Sequence, residues 1–174
     1  IQRAGDIEAL AASVPDAGGV VVVPAFTGLG APYWDAGARG AILGLTRDSG
    51  AAHIARATLD AIGYQSRDLI EAMRADGSEV GALRVDGGMV VNDALMQRLA
   101  DLIGCPVERP AVRETTSLGA AALAGLGVGM FGSTDEIAKV WRTERLFEPA
   151  LDKPARERDY ASWRAAVRRV RSGA

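Results

Sequence analysis

The chain has 174 residues, which suits one domain, or one domain with a tail, and is long enough to bury a sizeable core. Hydrophobic residues make up 48% of it and charged residues 24%, as in ordinary soluble globular proteins. The formal net charge of −2 gives no electrostatic reason to expect nucleic-acid binding. The lone Cys105 excludes an internal disulfide and is consistent with a cytoplasmic location. One histidine and one cysteine are too few for a conventional zinc site.

The first quarter of the chain alternates helical and extended patterns. Residues 1–10 resemble the end of an amphipathic helix without its beginning, so we expect a fragment of a longer protein. VVVVPAF at 20–26 predicts a buried strand, because β-branched residues favour pleated surfaces. A loop rich in glycine, proline and aromatic residues occupies 27–40, and a second strand is predicted at 40–46. No apolar run is long enough to span a membrane, so membrane insertion is not expected.

The longest helical pattern runs from Ser49 to about Ala75. Apolar side chains mark one face of it, namely Ile54, Ala57, Ala61, Ile62, Leu69 and Met73. Charged side chains mostly mark another face, namely Arg56, Asp60, Arg67, Asp68 and Glu71. The pattern therefore predicts an amphipathic helix.

In the second half, a third strand at 82–88 ends in a glycine pair. A helix is predicted to follow, with Asn92 as its N-cap and Gly104 as its stop. The remaining predicted elements are a short strand at 105–110, a helix of small residues at 115–129 that allows close packing, a short helix opened by a Ser133–Glu136 capping box, and a basic helix at 156–170. This alternation predicts an α/β layered domain with a substantially parallel sheet. About four strands is few for a complete sheet, which agrees with truncation.

Three glycine clusters are candidates for ligand contact. GLGVG at 125–129 imitates a dinucleotide fingerprint, but it lies inside a helical pattern, and Arg145 stands where an acidic ribose partner should lie. TGLGAPYW at 27–34 follows a strand, yet Pro32 and the aromatics after it preclude a helix start there. No GxxxxGK[ST] motif is present, which excludes P-loop chemistry.

DGGMVVN at 86–92 is the third cluster. It combines a strand end, two glycines and a helix start, where backbone N–H groups can point at a phosphate. A plain tight turn is the alternative reading of the same residues. Asp86 beside the glycines could serve as a base, but a structural role at the strand end is favoured.

The stretches VVVPAFTGLGAPYWDAGARGAILGLTR, HIARATLD and LRVDGGMVVND together resemble the C-terminal half of the FGGY carbohydrate kinase family. The second signature of that family is filled at each position by Gly40, Ile42, Gly44, Leu45, His53, Ile54, Ala57, Thr58, Leu59 and Asp60. The loop PAFTGLGAPYWD resembles the glycerol-phosphorylating branch rather than the xylulose or gluconate kinases. The resemblance continues through DYASWRAAVRR and so covers essentially the whole chain.

The resemblance implies an actin-like ATPase (ribonuclease H-like) fold of two lobes, with ATP and substrate in the cleft between them. Residues 1–150 would be the C-terminal, nucleotide-binding lobe, incomplete at its N-terminus, and residues 151–174 a basic helix packed on the same lobe. Gly87 and Gly88 would lie against the ATP phosphates, Asn92 would reach the adenine, and Gln2 would match a nucleotide-contacting glutamine near the ribose.

The implied reaction is ATP-dependent phosphorylation of glycerol with Mg²⁺, in an enzyme that forms homo-oligomers. The catalytic aspartate and most glycerol contacts are expected upstream, so no catalytic or metal-binding residue is assigned to this chain. Asp35 is interpreted as bracing its loop, His53 as scaffolding, and Cys105 as buried and inert, while Arg113 and Glu114 are candidates to line the cleft. Two alternatives stay open: another FGGY sugar or polyol kinase, and a non-catalytic actin-fold assembly module.

Overall fold

The computed structural model describes residue 3 and residues 5–173. The elements of that part of the chain, in order, are helix α1 (Asp6–Ala12), strands β1 (Val21–Val23) and β2 (Ala41–Leu43), helix α2 (Ala51–Ala75), strand β3 (Leu83–Arg84), a 3₁₀ turn (Gly88–Val91), helix α3 (Asp93–Ile103), strand β4 (Val107–Pro110), helices α4 (Thr115–Gly127) and α5 (Thr134–Ala138), strand β5 (Thr143–Phe147) and helix α6 (Lys153–Val170).

The strands form two small sheets. β1 and β2 pair antiparallel, with Val22 opposite Ile42. The second sheet has the order β3–β4–β5, in which β3 and β4 are parallel and β4 and β5 are antiparallel. The predicted α/β class is confirmed, but the expectation of a substantially parallel sheet is wrong for the part described. β5 was not predicted, because four of its five residues are exposed and no apolar alternation marks it.

The core has two main parts. Leu99, Ile103, Val107 and Phe147 fill the space where α2 and α3 cover the β3–β4–β5 sheet. The second part lies where α6 packs on α2 and β1, around Trp163, which is fully buried and stacks on Tyr64 with ring centroids 5.4 Å apart. Burial of these large side chains stabilises both layers. The last helix and the central helix α2 therefore share one core.

The apolar and charged faces predicted for α2 do not coincide with its buried and exposed faces. Asp60, Arg67 and Asp68 are 4–5% exposed, whereas Leu69 is 47% and Met73 is 41% exposed. Each buried charge has partners that a single-helix pattern does not show. Arg98 on α3 pairs with Asp60, Glu157 on α6 pairs with Arg67, and the ring hydroxyl and indole of α6 donate to Asp68. Helices on both sides, not solvent, surround this face.

Helix ends mostly follow the sequence. Gly104 ends α3 in the left-handed conformation with φ 69°, and Ser133 accepts the N–H of Glu136 at the start of α5. α6 begins earlier than predicted, because Asp152 caps it by accepting the Ala155 N–H at 2.7 Å. No described helix has the length and apolar character that crossing a bilayer requires. The small-residue helix α4 packs closely only near Gly125 and is otherwise largely exposed.

Candidate functional site

The two glycines that follow β3, Gly87 and Gly88, differ in the reason for which glycine is found there. Gly87 has φ 87° and ψ −175°, a conformation essentially restricted to glycine. Its N–H donates to the carbonyl oxygen of Arg113 at 3.1 Å, which fixes the turn against the segment before α4. The backbone geometry alone therefore requires glycine at this position.

Gly88 needs another explanation. Its φ is not positive, and a Cβ built on it would meet no atom within 4 Å. Within the described residues, the N–H groups of Gly88 and Met89 donate to no protein acceptor. Neither strain nor packing accounts for a glycine here, and the open space beside two free amides suits a ligand.

Asn92 is the N-cap of α3, as predicted. Its Oδ1 accepts the N–H of Leu95 at 2.7 Å, which turns the amide group toward the first turn of the helix. Its Nδ2 makes no hydrogen bond in the part of the chain that the structure describes. One correction applies: α3 does not begin at the glycine pair, because the 3₁₀ turn Gly88–Val91 comes first. The free amides of Gly88 and Met89 thus belong to this turn and not to α3.

A cavity of about 440 Å³ opens beside the turn. Its walls are mainly apolar side chains of α1, α2 and the 3₁₀ turn, and it includes Ile7, Leu59, Ile62, Met89, Val91 and the backbone of Gly88, with Asn92 at its edge. A mainly apolar cavity with a few polar groups is the usual form of a small-molecule site. Its size and lining suit a flat aromatic ring, with the free amides available to an anionic group.

Arg109 on β4 contacts the 3₁₀ turn and the first residue of α3. It is 6% exposed, and its Nη1 donates both to the carbonyl oxygen of Val90 at 2.9 Å and to Oδ1 of Asp93 at 2.6 Å. Its Nε makes no hydrogen bond and lies 3.3 Å from a carboxylate oxygen of Glu144. The Arg109 hydrogen bond is the main reason that the pKa of Asp93 is lowered, and Arg145 lowers it further.

The sequence reading did not select Arg109. Its burial could have been expected from its position in VERP at 107–110. There Arg109 shares a strand face with Val107, which is fully buried.

The other residues singled out in the sequence mainly make hydrogen bonds that stabilise the local structure. Asp86 accepts a hydrogen bond from the hydroxyl of Thr115, and His53 accepts the N–H of Gly50 at the start of α2. Asp35 accepts two N–H groups of its own loop, from Gly37 and Ala38.

Cys105 is buried, and burial raises the pKa of its thiol. Gln2 lies outside the described residues. The described residues contain no group of acidic, histidine or cysteine side chains able to hold a metal ion. Arg113 reaches the glycine turn through its carbonyl oxygen, while its side chain lies 3.8 Å from that of Glu144. Glu114 precedes α4 and is exposed.

Comparison with curated proteins gives similarity along the whole chain. Glycerol kinase from Aromatoleum aromaticum is 62% identical over 172 residues, which are 98% of this chain and 35% of that protein. Glycerol kinase from Rhodospirillum centenum is 58% identical over 174 residues, or 100% of this chain and 35% of that protein. The chain therefore spans about a third of the length of these relatives.

Solved structures of kinases are also similar to this chain over most of its length. A crystal structure of Plasmodium falciparum glycerol kinase with ADP matches 98% of this chain and 34% of its own, with a TM-score of 0.86 and 35% identity. Gluconate kinase from Lactobacillus acidophilus matches 90% of this chain and 32% of its own, with a TM-score of 0.75 and 25% identity. The model of the C-terminal domain of the FGGY family of carbohydrate kinases matches residues 1–128. This chain belongs to the FGGY family of carbohydrate kinases, of which it carries the C-terminal domain.

Proposed function

We propose that this chain is the ATP-binding lobe of a kinase that transfers the γ-phosphoryl group of ATP to glycerol. The observation that carries the proposal is Gly88, which opens a cavity beside two free amides although neither its backbone conformation nor its packing needs glycine. The high identity to glycerol kinases supports glycerol over other acceptors, since the gluconate kinase is only 25% identical.

In this proposal each part of the turn has one task. Gly87 shapes the backbone, and the amides of Gly88 and Met89 donate to phosphate oxygens of the nucleotide. The apolar wall formed by Leu59 and Ile62 receives the adenine, with Nδ2 of Asn92 free to donate to a ring nitrogen. ADP in the Plasmodium falciparum structure supports a nucleotide as the ligand.

The chemistry itself is assigned to the cleft between two lobes. Phosphoryl transfer depends mostly on positioning and on stabilisation of charge. Mg²⁺ would supply neutralisation of charge at the phosphates, and a carboxylate would receive the hydroxyl proton. We assign that base and most of the glycerol contacts to the other lobe, as the resemblance to the family implies. Asp86 here is hydrogen-bonded to Thr115, which agrees with a structural role. We further propose that residues 1–150 form the lobe and 151–174 pack on it, in a cytoplasmic enzyme.

A chimera tests the proposal. This chain replaces the corresponding segment of the Aromatoleum aromaticum glycerol kinase, and the purified chimera is assayed with Mg·ATP and glycerol. We expect ATP-dependent phosphorylation of glycerol, because this chain is 62% identical to the segment that it replaces. A folded chimera that binds glycerol but consumes no ATP would refute the assignment and would favour an assembly role for this fold.

A further inference from the structure

A second cavity, strongly polar, lies on another side of the molecule. Its volume is about 440 Å³, and it is enclosed by the C-terminal half of α2, the end of α3 and the first turn of α6. It shares no lining residue with the cavity at the glycine turn. Four cationic and two anionic side chains line it, namely Arg67, Arg74, Lys153, Arg156, Glu71 and Glu157. Cations are therefore in excess.

The cations on α2 are already paired. Arg67 is 5% exposed, and its Nη2 donates to Glu157 at 2.6 Å, while its Nε lies 3.4 Å from Glu71 without a hydrogen bond. Arg74 donates to the same Glu71 carboxylate at 3.1 Å. These groups form a fixed, nearly neutral wall of the cavity.

The cations on α6 are different. Neither Lys153 nor Arg156 has a carboxylate within 4.0 Å among the residues that the structure describes. Arg156 is half-buried, and its guanidinium lies against Gly104, with Cζ 2.6 Å from the place that a Cβ on Gly104 would take. Gly104 thus leaves room for a cation that no protein group neutralises, and a partly desolvated charge without a partner favours a bound anion.

We propose that this cavity binds a phosphate-type dianion, either inorganic phosphate or a phosphate monoester. The planar guanidinium of Arg156 offers two parallel N–H donors to phosphate oxygens, and Lys153 adds a point charge from the same helix turn. Two unpaired cations match the charge of a dianion. Binding is non-covalent and independent of the nucleotide site.

The test measures binding of two probes, inorganic phosphate and glycerol 3-phosphate, to the 174-residue chain by calorimetry at constant ionic strength set with chloride. Saturable binding is expected, and Lys153→Ala and Arg156→Gln should each weaken it about tenfold, the usual effect of losing one charge-assisted hydrogen bond. Arg158→Gln removes an exposed charge of α6 outside the cavity and should leave the affinity unchanged. Saturable binding should persist in Gly88→Val, whose substitution lies outside this cavity, and this separates the site from the glycine turn.

Equal affinity for the two probes would identify the phosphate group alone as the ligand, and tighter binding of glycerol 3-phosphate would identify a monoester. The proposal is overturned by absence of saturable binding, by an equal loss with Arg158→Gln, or by loss of all saturable binding in Gly88→Val. Circular dichroism of each variant checks that the helices are retained, and Lys153→Ala, at an exposed side chain, keeps the test valid if Arg156→Gln disturbs packing.

Discussion

Nη1 of Arg109 donates to the carbonyl oxygen of Val90 at 2.9 Å, and so joins strand β4 to the 3₁₀ turn that carries Gly88. Because Arg109 is buried, replacing it by methionine leaves the Val90 carbonyl and one side of Asp93 without their partner. We expect Arg109→Met to lower the free energy of unfolding by about 1–3 kcal/mol, the cost of leaving the Val90 carbonyl oxygen without its hydrogen bond. Urea unfolding of the chain measures this.

Arg145→Ala is the matched control, because Arg145 binds the other oxygen of Asp93 from an exposed position. Its loss should cost about 1 kcal/mol or less. If both variants lose the same stability, Arg109 is only one more surface ion pair and does not hold the turn.

Replacement by alanine should lower the stability of the chain at Gly87 but hardly at Gly88. Gly87→Ala forces a side chain into φ 87° and should cost about 1–3 kcal/mol. Gly88→Ala meets open space and should change stability by less than about 0.5 kcal/mol. Thermal unfolding of both variants separates them. A large loss with Gly88→Ala would mean that this glycine is structural, and the argument for a ligand beside it would fail.

How much of this site the sequence predicts depends on the range of each interaction. The Asn92 cap and the Gly104 stop are local, so they could be identified from residues a few positions apart. The burial of Asp68 depends on Tyr160 and Trp163, which are 92 and 95 residues away, and no periodicity within α2 reveals such partners. Arg109 was missed for the same reason, since the carbonyl oxygen that it binds lies 19 residues away.

Asp68 joins α2 to the last helix. Its two oxygens accept the hydroxyl of Tyr160 at 2.6 Å and the indole N–H of Trp163 at 2.8 Å, both buried. Asp68→Ala leaves two buried donors unpaired and should cost about 2–4 kcal/mol, whereas Tyr160→Phe removes one hydroxyl and should cost about 1 kcal/mol. Chemical denaturation followed by tryptophan fluorescence measures both. Equal, small losses would show that residues 151–174 are not held on the lobe through Asp68.

Asp35 joins its loop to Ser172, and we expect this contact to depend on pH. It accepts the hydroxyl and the N–H of Ser172 at 2.6 and 2.7 Å, and these bonds are the main reason that its pKa is lowered. A carboxyl whose pKa is lower in the folded state stabilises that state above its ordinary pKa of about 3.9 and loses the effect as the pH falls through the folded value. We expect the Ser172 amide resonance to shift only below about pH 4.

Asp35→Asn should abolish that titration, since the amide has no acid group in this range. Asp48→Asn, at an exposed carboxyl in the loop before α2, should leave it intact. A Ser172 resonance that titrates alike in all three proteins would exclude Asp35 as its cause.

The most direct test of the account is the steady-state kinetics of the chimera carrying Gly88→Val, with Gly81→Val as control. Both glycines have open space for a Cβ and no positive φ, but only Gly88 lines the cavity at the turn. We predict that Gly88→Val raises KM for ATP at least about tenfold, because the side chain takes space assigned to phosphate, and leaves KM for glycerol within about twofold. Gly81→Val should change neither. Equal increases in both KM values, or no change with Gly88→Val, would contradict nucleotide binding at this turn.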